Sequence, residues 1–310
     1  MSTPAPLDRT PAPEADVPNR RTALVTGSNG GVGLALAEKL HADGWRVLLH
    51  GRNAAKLARA QTRLGGAEAV QADLADLSAV RRLGDEVAAA TDRLDALVHN
   101  AGLLRPELTR TEAGVETTMA VNVLAPFVLT NALRPLLEAT VQAHGDARVV
   151  TVSSEAHRGG RFDTTDPEAL AASLRGPTEP SRYSSIKAYA QSKLAATSWT
   201  LELARRLDGT GVTAHACHPG VVRTGVFGGV GGVVGFLAQA ASVLYLSPSA
   251  GAASPYLLAT DPAYGERTGR WVTRGHLRGP HEAEPPAQAR APEVGAAVWE
   301  ALDRLAVSGT

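Results

Sequence analysis

The chain has 310 residues, with 31 basic and 31 acidic side chains and a formal net charge of zero. That balance removes the electrostatic case for nucleic acid or an anionic membrane as the main partner and leaves small ligands. A single cysteine, Cys217, excludes an internal disulfide and fits a reducing, cytoplasmic compartment.

Residues 1–20 are rich in proline and charge and lack the apolar core of a signal peptide, so they are expected to form a disordered tail. From Arg21 onward one α/β domain, 21–310, is expected. Short apolar runs read as buried strands: TALVTG (Thr22 to Gly27), WRVLLHG (Trp45 to Gly51), AEAVQAD (Ala67 to Asp73), DALVHNAG (Asp95 to Gly102), ARVVTVSS (Ala147 to Ser154) and GVTAHACHPG (Gly211 to Gly220). Helical spacing fills the intervals, as in VGLALAEKLHADG and LSAVRRLGDEVAAATDRL. Such alternation implies a doubly wound parallel sheet of about seven strands with helices on both faces. GRWVTR supplies a last strand, Gly279 to Pro292 a linker, and PEVGAAVWEALDRLAV a closing helix.

Between the first strand and the first helix lies TGSNGGVG, Thr26 to Gly33. Glycines there let backbone approach a pyrophosphate, which the amides and dipole of a helix N-terminus stabilise. The cradle would include Gly27, Ser28, Asn29, Gly31, Val32 and Gly33. The second strand ends LLHGRN with no acid to bind a ribose 2′-hydroxyl. Arg52 can instead meet a 2′-phosphate with a planar fork, so NADP(H) is expected over NAD(H).

Taken together these motifs resemble the short-chain dehydrogenase/reductase family, from about Arg21 to the end. Thr26, Gly27, Gly31 and Gly33 match its T-G-x-x-x-G-x-G, and Asn100, Ala101 and Gly102 its N-A-G; His99 departs from the usual N-N-A-G. Gly27, Gly30 and Gly33 also fit the spacing of the extended, epimerase-like branch. Only 117 residues follow Lys193, too few for that branch's large substrate domain, which favours the compact Rossmann-type branch. The resemblance implies that Asp73, with Leu74 beside it, recognises the adenine. It further implies that Asn122 is the structural asparagine of the long helix and that Ser154 holds the substrate oxygen. In HPGVVRT, Pro219, Gly220 and Val222 would border the nicotinamide and Thr224 would bind its carboxamide.

YSSIKAYAQSK contains Tyr-x-x-x-Lys twice, Tyr183 with Lys187 and Tyr189 with Lys193. In the family the tyrosine is the acid or base and the lysine lowers its pKa and holds the nicotinamide ribose. An ammonium about 4 Å away, at an effective dielectric of about 20, favours a phenolate by about 4 kcal/mol, roughly three pKa units. That arithmetic does not choose between the pairs. The regular helix beyond Lys193, against the turn-forming GPTEPSR before Tyr183, assigns catalysis to Tyr189 and Lys193.

Alternation turns Ser153 and Ser154 to opposite sides of the strand end, and the family pattern selects Ser154. The 35 residues from Ser154 to Tyr189 predict an added lobe at 155–182, as in retinol-dehydrogenase-like members. The uncharged run 225–246 predicts an apolar loop and helix over the cleft and an apolar carbonyl or alcohol substrate. His215, Cys217 and His218 alternate on a strand and cannot converge on one metal ion. Pro126 has no N–H for the Asn122 carbonyl, which the resemblance assigns to a water near the lysine. An epimerase or dehydratase, and a dinucleotide-binding regulator without turnover, are the competing functions; a homo-oligomer is open.

Overall fold

The computed structural model describes residues 20–164, 166–222, 245–275 and 278–307. Thr224, most of the 225–246 run and nearly all of the expected tail fall outside the described residues.

Eight strands form one sheet in the order β3-β2-β1-β4-β5-β6-β7-β8. They are β1 (Thr22–Val25), β2 (Arg46–Gly51), β3 (Ala69–Gln71), β4 (Ala96–His99), β5 (Ala147–Val152), β6 (Val212–Cys217), β7 (Trp271–Arg274) and β8 (Pro280–Glu282). The first seven run parallel, and β8 returns antiparallel to β7. This eighth strand and the short helix Ala287–Arg290 occupy the segment read as a linker. The three-residue strand opens on Pro280 and has too few apolar residues to signal itself.

The strands read as continuous apolar runs because both faces of the sheet are covered. Leu24, Leu48, Leu97 and Val149 point into a core beneath α3 (Leu77–Ala90), α5 (Ala125–His144) and α7 (Ser185–Arg206). Their neighbours Val25, Leu49, Val98 and Val150 point into a second core beneath α1 (Gly31–Ala42) and α2 (Ala54–Arg63). At about 1.5–3 kcal/mol per fully buried branched or aromatic side chain, these two layers supply most of the stabilisation. Side chains also punctuate the helices: the Asn53 side chain accepts from the Lys56 N–H (2.9 Å) to start α2, and Asp76 accepts from the Ser78 N–H (2.8 Å) to start α3.

The long helix departs from the single kinked rod expected for it. A first turn, α4 (Thr117–Met119), capped by Glu116, runs into a π turn over Ala120–Leu124, where the Ala125 N–H donates to the Ala120 carbonyl, and α5 continues from there. Pro126 stands in the first turn of α5 and brings no N–H, which leaves the Asn122 carbonyl without its i+4 donor. Among the described residues Thr117–His144 is the one helix long and apolar enough to cross a membrane, and 72% of its apolar window is buried inside the protein.

The expected lobe at 155–182 contains a 3-10 turn over Glu155–Gly159 and the helix α6 (Pro167–Arg175), capped by Asp166. The closing helix (Pro292–Val307) lies across α6 and α7; its Trp299 meets Phe127 edge-on at 4.9 Å.

Five buried histidines, His50, His99, His157, His215 and His218, are held neutral by burial, four with pKa values pushed down to about 4 and His99 to about 3. An unfolded histidine titrates near 6.5. Between that value and about 4 the unfolded chain binds protons that the folded chain refuses, so stability rises with pH across the window and is lost toward acid. We expect the thermal midpoint at pH 5 to lie about 5 °C or more below that at pH 7.5, read by circular dichroism. Equal midpoints would contradict the burial of these rings.

Candidate active site

The order of strands reverses between β1 and β4, and there the carboxyl ends of the sheet open into a cavity of about 590 Å³. Open parallel sheets bind ligands at such switch points. The cavity runs from Arg52, Lys56 and Asp73, past Gly27 to Val32, to Ser154, Tyr189, Lys193 and His218.

The glycine cradle is shaped by close approach. Gly27 adopts φ +67, and a Cβ there would stand 2.9 Å from the Ala101 Cα. At Gly33 a Cβ would run into the Asn100 side chain and the Gly27 carbonyl. Asn100 closes this contact by donating from Nδ2 to the Thr26 carbonyl (2.9 Å), while Thr26 Oγ1 accepts from the amides of Asn100 and Ala101 (3.0 and 3.1 Å). The N-A-G residues are therefore a brace beneath the cradle. Ser28 is buried and tied to the β2 backbone, its N–H donating to the His50 carbonyl (3.0 Å), whereas Asn29, Gly31 and Val32 line the cavity.

At the outer end Arg52 Nη1 and Asp73 Oδ2 stand 4.0 Å apart, both about half exposed, a pair that costs little to separate. Gly51 has no room for a side chain, since a Cβ would meet Asn29. Lys56 lies four residues after Arg52 and lines the same end. Sequence reasoning overlooked it, although helical spacing from Arg52 could have found it.

The inner end answers which tyrosine faces the cavity. Tyr189 and Lys193 sit one turn apart on α7, and both line the cavity. Tyr183 lies just before the helix, capped by Ser184, and its hydroxyl donates to the Arg105 carbonyl (2.9 Å) and the buried Glu116 carboxylate (3.2 Å). Burial and the Glu116 carboxylate push its pKa up to about 12. It staples the start of α7 to the loop before α4.

Lys193 is 4% exposed, and its ammonium donates to the Val152 carbonyl (3.0 Å). Burial pulls its pKa down to about 8. The expected lowering of the tyrosine pKa is not found: burial pushes Tyr189 up to about 12, and a hydrogen bond with Ser154 opposes the rise. The lysine Nζ stands 5.6 Å from the centre of the Tyr189 ring while it donates to the Val152 carbonyl at the end of β5.

Ser154 reaches the cavity and Tyr189, while Ser153 turns away into a buried cluster, its hydroxyl 3.0 Å from the Lys193 carbonyl and 2.9 Å from Thr197 Oγ1. Asn122 does not line the cavity. Its Oδ1 accepts from the Leu103 N–H (2.8 Å), and its Nδ2 donates to the Leu103 carbonyl (2.9 Å) and to Ser192 Oγ (3.0 Å). A Cβ on Gly102 would lie 3.4 Å from both Asn122 Oδ1 and Lys193 Nζ, which places these two groups together against the N-A-G backbone, in space that a side chain would fill. Pro219, Gly220 and Val222 line the cavity as well, and Leu74 lines its outer end beside Asp73. The His215 ring donates from Nε2 to the Tyr264 carbonyl (2.9 Å) and accepts at Nδ1 from the Arg270 N–H (3.3 Å), and Cys217 is fully buried, so neither shares the His218 position on the cavity wall.

Known proteins place this architecture. The family pattern described as "short chain dehydrogenase" matches residues 21–165. Dehydrogenase/reductase SDR family member 13 of Bos taurus is 34% identical over 93% of this chain and 74% of its own length. The chain belongs to the short-chain dehydrogenase/reductase family. Within this family it is retinol-dehydrogenase-like: human retinol dehydrogenase 13 is 37% identical over 68% of this chain, which spans 61% of that relative. A crystal structure of an uncharacterized Mycobacterium paratuberculosis protein superposes with a TM-score of 0.74 and 31% identity, covering 93% of both chains. As a family member the chain is an oxidoreductase using a nicotinamide dinucleotide.

The Tyr183 staple has a measurable consequence. Tyr183→Phe removes one partner of a buried carboxylate and should cost about 1–3 kcal/mol of stability, read by chemical denaturation, while leaving turnover within about twofold of wild type. A dead but fully stable Tyr183→Phe would place the chemistry at the wrong tyrosine.

Proposed function

We propose that the chain is an NADP(H)-dependent oxidoreductase acting on a carbonyl or secondary alcohol of an apolar small molecule, with Tyr189 as general acid and base. The carrying observation is the Ser154–Tyr189 hydrogen bond above Lys193, at the inner end of a cavity whose outer end offers Arg52 and Lys56 and, on β2, no acid. The residues fit the dinucleotide: a cradle that side chains would fill, a helix N-terminus behind it, and cations at the 2′ end. When bound, it supplies or accepts the hydride. The names of the retinol dehydrogenase relatives favour an apolar alcohol or aldehyde.

In this reading Ser154 orients the substrate oxygen and Tyr189 gives up its phenolic proton as negative charge grows there. A phenol near 12 is fully protonated at neutral pH, ready as an acid. The reverse reaction needs the phenolate and gains from higher pH. Lys193, beneath the ring, stabilises the phenolate left behind. The Asn122 carbonyl lacks its i+4 donor because Pro126 stands there.

Steady-state kinetics with NADPH and an aldehyde panel that includes retinal test this. Tyr189→Phe should lower kcat by at least about a thousandfold with NADPH binding within about threefold. Alcohol oxidation should climb from pH 7 to 9 while reduction does not. Arg52→Ala, and more so with Lys56→Ala, should weaken NADPH about tenfold to a hundredfold, the cost of about 1.5–3 kcal/mol for bonds to a charged group, and leave NADH unchanged. Wild-type preference for NADH would refute the 2′-phosphate assignment. NADPH binding without consumption across the panel would favour a regulator.

A further inference from the structure

His50 is the last side chain of β2 before Gly51, and it is 2% exposed. A buried imidazole in this position would ordinarily be packing. Here both ring nitrogens are engaged, and on two different segments of the cofactor cavity. The Gly27 N–H donates to His50 Nδ1 at 3.2 Å, and His50 Nε2 lies 3.2 Å from the Ala72 carbonyl. An amide N–H can only donate and a carbonyl can only accept, so the ring has one tautomer: Nδ1 bare and Nε2–H donating. Burial keeps it neutral. Its backbone is engaged as well, since the His50 N–H donates to Ser28 Oγ (2.9 Å) and the Ser28 N–H donates to the His50 carbonyl (3.0 Å).

Gly27 opens the glycine cradle, and Ala72 immediately precedes Asp73 and Leu74 at the opposite wall of the same cavity. The two segments follow β1 and β3, which flank β2 and are not hydrogen-bonded to each other. Backbone pairing ties each of them to β2, through the Ser28 N–H on one side and the Gly51–Gln71 pair on the other, but not to each other. We propose that His50 is the positioning residue that sets it: the neutral ring, strung between the Gly27 amide and the Ala72 carbonyl, fixes the width of the dinucleotide groove at its adenosine end. It also satisfies the Gly27 amide from within, which directs an incoming phosphate to the amides of the first turn of α1, the donors that no helix satisfies for itself. The ring touches no reacting atom, so its contribution is to affinity and not to the chemical step. The inference rests on the cofactor reading above.

The test is direct binding of NADPH, followed by its fluorescence, together with kcat at saturating cofactor and the thermal midpoint. His50→Leu fills the site but makes neither bond, and should weaken NADPH at least about tenfold, or about 1.4 kcal/mol, with kcat within about twofold. His50→Asn places an acceptor one bond beyond Cγ, where Nδ1 stands, keeps only the Gly27 contact, and should recover affinity in part, to between that of His50→Leu and wild type. His50→Gln places a donor where Nε2 stands, keeps only the Ala72 contact, and should remain at least about tenfold weak. His215→Leu, a buried ring outside the cavity, should lower the midpoint without changing NADPH affinity.

Wild-type affinity in His50→Leu, or a loss confined to kcat, overturns the inference. Should His50→Leu fail to fold, the Asn and Gln variants decide, and equal affinities or the reverse order overturn it. Failure of the wild type to bind either dinucleotide would instead overturn the cofactor reading, and this inference with it.

Discussion

The ammonium of Lys193 is almost removed from water, and much of the site is arranged by that fact. A buried lysine costs several kcal/mol unless its charge is answered, and here one backbone carbonyl, that of Val152, answers it. The Val152 carbonyl is available because β5 ends there, so the lysine takes the place that a continuing ladder would have filled. Around it Gly102 leaves room on one side, and Ser153 and Thr197 lock the Lys193 backbone from below (3.0 and 2.9 Å). Partial neutralisation is the remaining relief, which is why the pKa falls to about 8.

Most of the sheet was legible because apolar strands buried on both faces differ sharply from amphipathic helices. The runs around Leu24, Leu48, Leu97 and Val149 left no other reading. What was not legible has a common character: it depends on backbone that leaves regular pairing. The eighth strand is three residues long and opens on proline. The π turn at Ala120–Leu124 carries no composition of its own, because all of its residues but Asn122 are ordinary core residues.

In the site, the two tyrosines were separable from flanking pattern, since a turn before Tyr183 and a regular helix after Lys193 are local facts. The electrostatic partnership was not. Spacing places Lys193 a turn from Tyr189, but the hold of the distant Val152 carbonyl on its ammonium is not local to the helix. Lys56 was not legible for a different reason: no strand-end motif marks it, because the cations continue past the strand into the first turn of the next helix.

The π turn has one consequence for how this sequence tolerates change. Its extra residue is stored slack in an otherwise tight helix: the Ala125 N–H reaches back five residues to the Ala120 carbonyl, where a regular turn reaches back four. Losing one residue between Ala120 and Leu124 would let the helix close into a regular spiral, so the deletion would cost little in backbone hydrogen bonds. Because the wider turn already absorbs that residue, the turns on either side would keep nearly the same phase about the axis. The Glu116 cap and the Tyr183 staple would go on addressing the same face of α5. The same single-codon deletion in the regular turns of α5 would instead swing one half of the helix about 100° against the other.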